Sequence, residues 1–162
     1  MEITIRQYEE RDRVALRECM QKLQEHVAGI DPMHRLTLVP KEREMYIDWL
    51  LEKMKGQKGI IYIAVDREKV IGCAAGFVTV RSPHEALGTI PATPGRIQDL
   101  YVDAEYRSQG IGARLLKELE NHFKAQGCDV VMVEVFAPNG RAIDFYHEHG
   151  FQDRDVDMLK KI

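Results

Sequence analysis

The chain has 162 residues, of which 44% are apolar and 30% are charged, the usage of an ordinary globular protein and not of a disordered one. A formal net charge of -3, from 26 acidic and 23 basic residues spread along the sequence, argues against a basic surface for nucleic acid. These values predict a single domain over residues 1–162 that buries its own core.

The N-terminal half predicts a strand, two helices and a hairpin. Residues 3–8 alternate apolar and polar side chains, as in a strand with one buried face. Apolar residues then recur at helical spacing in a helix that ends near Gly29 and in a helix from about 40 to 55. The apolar positions are Leu16, Met20, Leu23, Val27 and Ile30 in the first helix and Met45, Trp49, Leu50 and Met54 in the second. The β-branched runs 60–65 and 70–80 predict an antiparallel hairpin.

A long loop is expected before two adjacent strands, which a helix separates in sequence. Residues 82–95 contain three prolines and no periodicity, which predicts the loop. The first strand is expected at 97–102. The second, at 130–135, is almost entirely apolar, so we expect it to be a central strand that is covered on both faces.

The remaining elements complete an α/β fold. A helix is predicted at 110–125, with an apolar face of Leu115, Leu116, Leu119 and Phe123, and another at 139–149. Residues 151–161 are expected to form a last strand or hairpin. The order of elements predicts a mixed, mostly antiparallel sheet of about six or seven strands with about four helices.

The cysteines and the N-terminal segment bear on the cellular compartment. Cys19, Cys73 and Cys128 lie far apart and have neither CxxC nor Cys/His spacing, so we expect reduced thiols and no metal site. The N-terminal segment lacks the features of a signal peptide, and no apolar run of 18 residues occurs. We therefore expect a cytoplasmic protein without a membrane or nucleic-acid partner.

The segment DAEYRSQGIG, residues 103–112, connects a predicted strand to a predicted helix. Gly110 and Gly112 permit close backbone approach, and the amides of a first helical turn have no intrahelical acceptor. With the helix dipole and the charge of Arg107 they would bind an anion such as phosphate. A P-loop is excluded because no Lys precedes a Ser or Thr here, and a dinucleotide fingerprint because Leu115 replaces its third glycine. A tight turn without a ligand is the alternative.

This segment, preceded by LYVDAEY, resembles motif A of the GNAT superfamily of N-acetyltransferases, whose pattern is Gln/Arg-x-x-Gly-x-Gly/Ala. The resemblance extends from about residue 60 to 151 and implies acetyl-CoA as the cosubstrate. It implies that a bulge in the preceding strand presents backbone groups to the acetyl and pantetheine parts, and that Asn139 contacts CoA. The cofactor-binding residues implied are Leu100, Tyr101, Val102, Arg107, Ser108, Gln109, Gly110, Ile111, Gly112, Ala113 and Asn139.

Acetyl transfer requires a neutral amine, yet an alkyl amine with a pKa near 10.4 is only about 0.04% neutral at pH 7. Asp99 and Glu134, on adjacent predicted strands, are the candidate bases, and a water chain is the third alternative. The structural alternative is an outward-facing strand residue or a loop anchor for Asp99 and a salt bridge at the end of the sheet for Glu134. Polyamine acetyltransferases of this family carry Glu-Asp where Gln98-Asp99 stands here, and Gln98 cannot act as a base. The resemblance assigns Tyr146 as the general acid, with a core aromatic as the alternative.

The family places the amine acceptor across the sheet from CoA, between the first two helices and residues 82–95. Asp31, His34, Trp49 and Glu85 are therefore candidate substrate-binding residues. The resemblance predicts acetyl transfer to a primary amine of a small molecule or peptide by direct attack in a ternary complex. Relatives often dimerise, so we expect a homodimer. The alternatives are a non-catalytic acetyl-CoA sensor or interaction module of the same fold and an unrelated phosphate-binding protein.

Overall fold

A computed structural model describes residues 2–37, 40–80, 87 and 92–162 of the chain. Its sheet has five strands in the order β1-β2-β3-β4-β5, antiparallel except for the parallel pair β4 and β5. The strands are β1 (Ile3–Gln7), β2 (Ile60–Asp66), β3 (Lys69–Val78), β4 (Pro94–Val102) and β5 (Val130–Val133). The α/β class and the mixed sheet are confirmed, whereas the expected six or seven strands are five.

In the described ranges, four α-helices cover the two faces of this sheet. They are α1 (Arg13–Gly29), α2 (Pro40–Gly56), α3 (Ile111–Ala125) and α4 (Gly140–Glu148). Strand side chains alternate between the faces: Ile63 and Cys73 pack with α1 and α2, and their neighbours Ala64 and Ala74 pack with α3 and α4. Within the described ranges, none of the helices is long and apolar enough to cross a bilayer.

The buried face of α3 is the predicted one, because Leu115, Leu116, Leu119 and Phe123 are all at most 1% exposed. Phe123 lies so close to the sheet that a Cβ on Gly95 would come within 2.4 Å of its ring. A Cβ on Gly76 would come within 2.6 Å of the same ring. Glycines in two neighbouring strands therefore let α3 sit flat against the sheet, which fixes where its N-terminus points.

The predicted apolar face of α2 is partly wrong. Met45 is 61% exposed and Trp49 is 38% exposed, whereas Ile47 and Leu50 are fully buried. Ile47, Leu50 and Met54 follow the three- and four-residue spacing of one helical stripe, and Met45 lies outside it. The sheet therefore covers a different stripe from the one that the large apolar residues suggested.

Two expectations for the C-terminal part are also wrong. In the described sheet β5 is an edge strand, not a central one, and Val130 is 46% exposed. Residues 151–162 form no strand or hairpin. Half of the positions in this segment carry charged side chains, and Val156 and Met158 are exposed, so the segment buries too little apolar surface to offset the cost of ordering it.

Candidate active site

Strands β4 and β5 separate at one end of the sheet. Their ladder runs from Pro94–Val130 to Ile97–Val133; β4 continues for five more residues while β5 stops. The amide of Asp103 donates to the carbonyl of Ile71 at 2.8 Å. In an antiparallel pair only every second residue bonds to the neighbouring strand, so the main-chain groups of Leu100, three residues earlier, point away from β3. Within the described part of the chain, this edge of β4 has no strand beside it.

The bulge in β4 lies earlier than the resemblance implied. Asp99 pairs with Ala75 and Ile97 pairs with Gly76, which leaves Gln98 as the extra residue. Residues 100–102, where the bulge was expected, pair in regular register with β3. A Cβ on Gly76 would lie 2.8 Å from the carbonyl oxygen of Arg96, so the glycine that permits this irregularity belongs to the neighbouring strand.

A cavity of about 490 Å³ opens where β4 and β5 separate. Its walls come from α1, α2, the segment between them, the middle of β4, the end of β5 and the start of α4. Five of the candidate residues line it: Asp99, Leu100, Glu134, Asn139 and Tyr146. The cavity therefore brings both candidate carboxylates and the candidate general acid to one volume.

Asp99 borders the cavity from β4 and is held by helix α2. The hydroxyl of Tyr46 donates a hydrogen bond of 2.5 Å to its Oδ2. Burial raises the pKa of Asp99 to about 6, and the hydrogen bond from Tyr46 opposes that rise by favouring the carboxylate. At neutral pH Asp99 is thus mainly ionised but readily protonated. The side-chain amide of Gln98 in turn donates to the Tyr46 oxygen at 3.3 Å.

Glu134 has a different environment. It lies one residue beyond the end of β5, its side chain is 77% exposed, and it pairs with Arg96 at 2.9 Å. The carboxylate is thus held by a cation at the end of the sheet and otherwise faces solvent. The geometry therefore favours the ion pair at the end of the sheet over a role in proton transfer.

Tyr146 and Asn139 reach the cavity from α4. Tyr146 is 8% exposed, and its ring packs 5.2 Å from each of the rings of Phe145 and Phe151. Burial and the nearby charge of Asp99 raise the pKa of Tyr146, so its hydroxyl keeps its proton. The side-chain oxygen of Asn139 accepts from the amide of Ala142 at 3.3 Å and caps the helix, which leaves its NH₂ group as a donor.

The glycine turn before α3 has the geometry of an open anion site. Gly110 caps the helix with φ of 76°, a left-handed conformation that favours glycine, and none of the described atoms lies within 4 Å of where its Cβ would be. No described side chain caps this helix. The amides of Ile111, Gly112 and Ala113 therefore have neither an intrahelical acceptor nor a described side-chain cap. The side chain of Ile111, 1% exposed, anchors the turn.

The three residues before Gly110 brace the turn. Arg107 donates from Nε to the carbonyl of Val102 at 2.9 Å and stacks over the ring of Tyr101 at 5.9 Å. Gln109 donates from its side chain to the carbonyl of Glu105 at 3.2 Å. Ser108 has φ of 60°. Arg107 is thus a structural link between the turn and β4.

Arg141 is a second cation at this turn, and sequence reasoning missed it. Its guanidinium donates to the hydroxyl of Ser108 at 3.2 Å. Its position two residues after Asn139 in the motif was the available signal, but only the fold shows that α4 begins beside the turn before α3.

The candidate substrate residues that the structure describes, Asp31, His34 and Trp49, do not line the cavity. Asp31, 6% exposed, accepts from the amides of Met33 and Arg35 at 2.9 and 2.7 Å, which lowers its pKa and holds the turn after α1. His34 is exposed in a left-handed conformation. Trp49 packs against Tyr46, with ring centroids 5.4 Å apart, and supports it from outside. Glu85 lies outside the described residues.

The wall of the cavity formed by α1, α2 and the segment between them includes apolar residues predicted to be buried and others that the sequence did not single out. They are Met20, Leu23 and Val27 on α1, Leu36 in the following segment, and Glu42 and Tyr46 on α2. The helical spacing of Glu42 and Tyr46 was visible in the sequence. Nothing in that spacing tells a cavity wall from a solvated surface.

Comparison with known proteins agrees with this geometry. The family model described as Acetyltransferase (GNAT) family matches residues 17–151. Thialysine N-epsilon-acetyltransferase of Bos taurus is 39% identical over 57 residues, which are 35% of this chain and 34% of that protein. Glucosamine 6-phosphate N-acetyltransferase 1 of Oryza sativa subsp. japonica is 31% identical over 104 residues, 64% and 59% of the two chains. The chain thus spans less than two thirds of the length of either relative.

The same fold occurs in a solved complex with a coenzyme analogue. AAC(6')-Iy bound to the bisubstrate analogue CoA-S-monomethyl-acetylneamine aligns over 100% of this chain and 99% of its own, with a TM-score of 0.72 and 15% identity. At that identity the likeness concerns the fold only. The family match, in contrast, covers most of the sequence and includes the glycine turn and the α4 segment. The chain belongs to the Acetyltransferase (GNAT) family.

Proposed function

We propose that residues 1–162 form one acetyltransferase domain that transfers an acetyl group from acetyl-CoA to a primary amine by direct attack in a ternary complex. The observation that carries this proposal is that one cavity contains both Asp99 and Tyr146, on either side of the open edge of β4. The cavity thus contains a proton acceptor, Asp99, and a proton donor, Tyr146, with the unpaired main-chain groups of β4 between them.

The residues present fit acetyl-CoA. The uncapped amides of Ile111, Gly112 and Ala113 suit a pyrophosphate, because the open space above Gly110 lets phosphate oxygens approach the helix N-terminus. The unpaired main-chain groups of Leu100 offer hydrogen bonds to an extended amide-containing arm, as an added strand would receive. The NH₂ group of Asn139 faces the same region as a further donor.

Acetyl-CoA supplies an activated acetyl thioester, and we assign deprotonation of the attacking amine to Asp99. Burial raises the pKa of this carboxyl from 3.8 to about 6. The difference between the pKa of an alkyl ammonium, near 10.4, and the pKa of Asp99 then narrows from about 6.6 to about 4.4. Proton transfer from the amine to Asp99 becomes easier by about 3 kcal/mol.

We assign Tyr146 as the proton donor to the leaving thiolate. Its raised pKa keeps the phenol protonated, so it can donate a hydrogen bond or a proton to a departing thiolate. The packing of its ring between Phe145 and Phe151 fixes the direction of the hydroxyl. A thiol has a pKa near 8.5, so this donation assists departure and is not indispensable.

The test incubates the full chain with acetyl-CoA and a panel of primary amines and measures thiol release and acetylated product. We expect amine-dependent release, and thermal stabilisation by acetyl-CoA of about 2.7 kcal/mol at 100 times its Kd. Asp99→Asn should lose most turnover. Asp144→Asn, which neutralises an exposed carboxylate on α4, is the control and should keep it. Stabilisation by acetyl-CoA without turnover on any amine would indicate a binding module. The absence of both stabilisation and turnover would reject the proposed function.

A further inference from the structure

We propose that the acceptor is a doubly cationic amine, an alkyl diamine or polyamine, whose second ammonium group is bound by Glu42 while the reacting nitrogen lies at Asp99. The proposal rests on the proposed function and names the acceptor class for the same cavity.

The charges on the cavity wall are the first observation. The charged residues among its described lining are Asp99, Glu42 and Glu134, and this part of the wall contains no Lys, Arg or His. Glu134 is compensated by Arg96. Asp99 and Glu42 are hydrogen-bonded by neutral hydroxyls, from Tyr46 at 2.5 Å and from Thr37 at 3.4 Å. Two carboxylates that pair with none of the described cations attract cations and repel an acceptor that carries a carboxylate or phosphate group.

The spacing of these carboxylates is the second observation. Glu42 and Tyr46 are four residues apart on α2, so they lie one turn apart on the same helical face, and both line the cavity. Tyr46 is the residue whose hydroxyl contacts Asp99. Glu42 therefore lies about 6 Å along the helix axis from Tyr46, the residue that contacts Asp99. A few methylene groups span such a distance.

The surface between the two charges is the third observation. Met20, Leu23 and Val27 follow helical spacing on α1 and turn apolar side chains to the cavity. Leu36 also lines it and is 47% exposed, so its apolar surface is open to be covered by a ligand. Each methylene buried on such a surface strengthens binding by about fourfold. The wall therefore matches a hydrocarbon spacer between two ammonium groups.

Three acceptors that differ only in their end group test the class: 1,4-diaminobutane, butylamine and 4-aminobutanoate, with acetyl-CoA and the full chain. We expect kcat/KM to decrease in that order, with the diamine at least about tenfold above the amino acid. Glucosamine 6-phosphate, which carries a phosphate, should be poorer than the diamine. Preference for 4-aminobutanoate or glucosamine 6-phosphate would overturn the diamine inference and leave acetyl transfer intact. The absence of amine-dependent thiol release with all of these amines would count against the proposed function itself.

Variants of Glu42 test the assigned residue. Glu42→Gln should lower the ratio of kcat/KM for diaminobutane to that for butylamine by about two- to fivefold, the range expected for a partly solvated ion pair. Glu42→Lys should reverse the preference between diaminobutane and 4-aminobutanoate. Glu52→Gln, the same charge change at an exposed position of α2 outside the cavity lining, is the control and should keep both ratios. Ratios unchanged in Glu42→Lys would overturn the role of Glu42.

Discussion

The hydroxyl group of Tyr46 donates a hydrogen bond of 2.5 Å to Oδ2 of Asp99 and thereby joins helix α2 to strand β4 across the cavity. Burial raises the pKa of Tyr46 as well, so the tyrosine keeps its proton and acts only as a donor. Helix α2, which forms one wall of the cavity, thus also adjusts the proton affinity of the Asp99 carboxylate.

Tyr46→Phe should shift the pH dependence of turnover. The hydrogen bond lowers the pKa of Asp99 against the effect of burial, so its removal raises that pKa. A base works when it is deprotonated, and the acidic limb of kcat/KM should therefore move to higher pH by about one unit. A pH profile of the variant beside the parent chain measures this shift. An unmoved limb would show that Asp99 is not the group that titrates.

Asp99→Asn should stabilise the fold at neutral pH while it removes activity. The pKa of Asp99 is about 6 in the folded chain against an ordinary 3.8, so the folded state binds the proton more tightly and stability decreases as pH rises from about 4 to about 6. The variant should therefore gain about 1 to 2 kcal/mol at pH 7.5 and nothing near pH 4. Urea unfolding at both pH values, with Asp144→Asn as the control, checks this. Equal stabilities at both pH values contradict it.

Tyr146→Phe should lower turnover by roughly 10- to 10⁴-fold, because the phenol is the assigned proton donor to the thiolate. The ring keeps its packing against Phe145 and Phe151, so the melting temperature should change little. Turnover and thermal unfolding of the same preparation separate the two effects. Undiminished turnover would remove Tyr146 from the mechanism.

Gly110→Ala should weaken acetyl-CoA binding through the backbone. A non-glycine residue at φ of 76° costs about 1 to 2 kcal/mol, and relief of that strain would tilt the amides at the start of α3. Gly110→Asn should be milder, because asparagine tolerates left-handed backbone. Gly56→Ala, at a helix end without positive φ, is the control and should bind normally. Calorimetry with acetyl-CoA measures all three; normal binding by Gly110→Ala would show that this turn does not hold the coenzyme.

The cavity wall formed by α1 and α2 shows what sequence patterns do not reveal. Met20, Leu23 and Val27 have the spacing of a buried helical stripe, and Met20 is indeed buried, but the same stripe also forms a cavity wall. Trp49 has the size of a pocket residue, yet it supports Tyr46 from the surface. Amphipathic spacing identifies which side of a helix leaves water, and it contains no information on whether protein or ligand covers that side.

The features that depend on neighbouring residues could be predicted from the sequence. They are the helices, the buried stripe of Leu115 to Phe123 and the glycine turn at the start of α3, since periodicity and backbone sterics act locally. The features that depend on distant residues became visible only in the packed fold. The bulge at Gln98 is permitted by Gly76 in the next strand, and the hydrogen bond between Tyr46 and Asp99 joins residues 53 positions apart. Such contacts arise when sheet and helices pack together, so a local pattern cannot encode them.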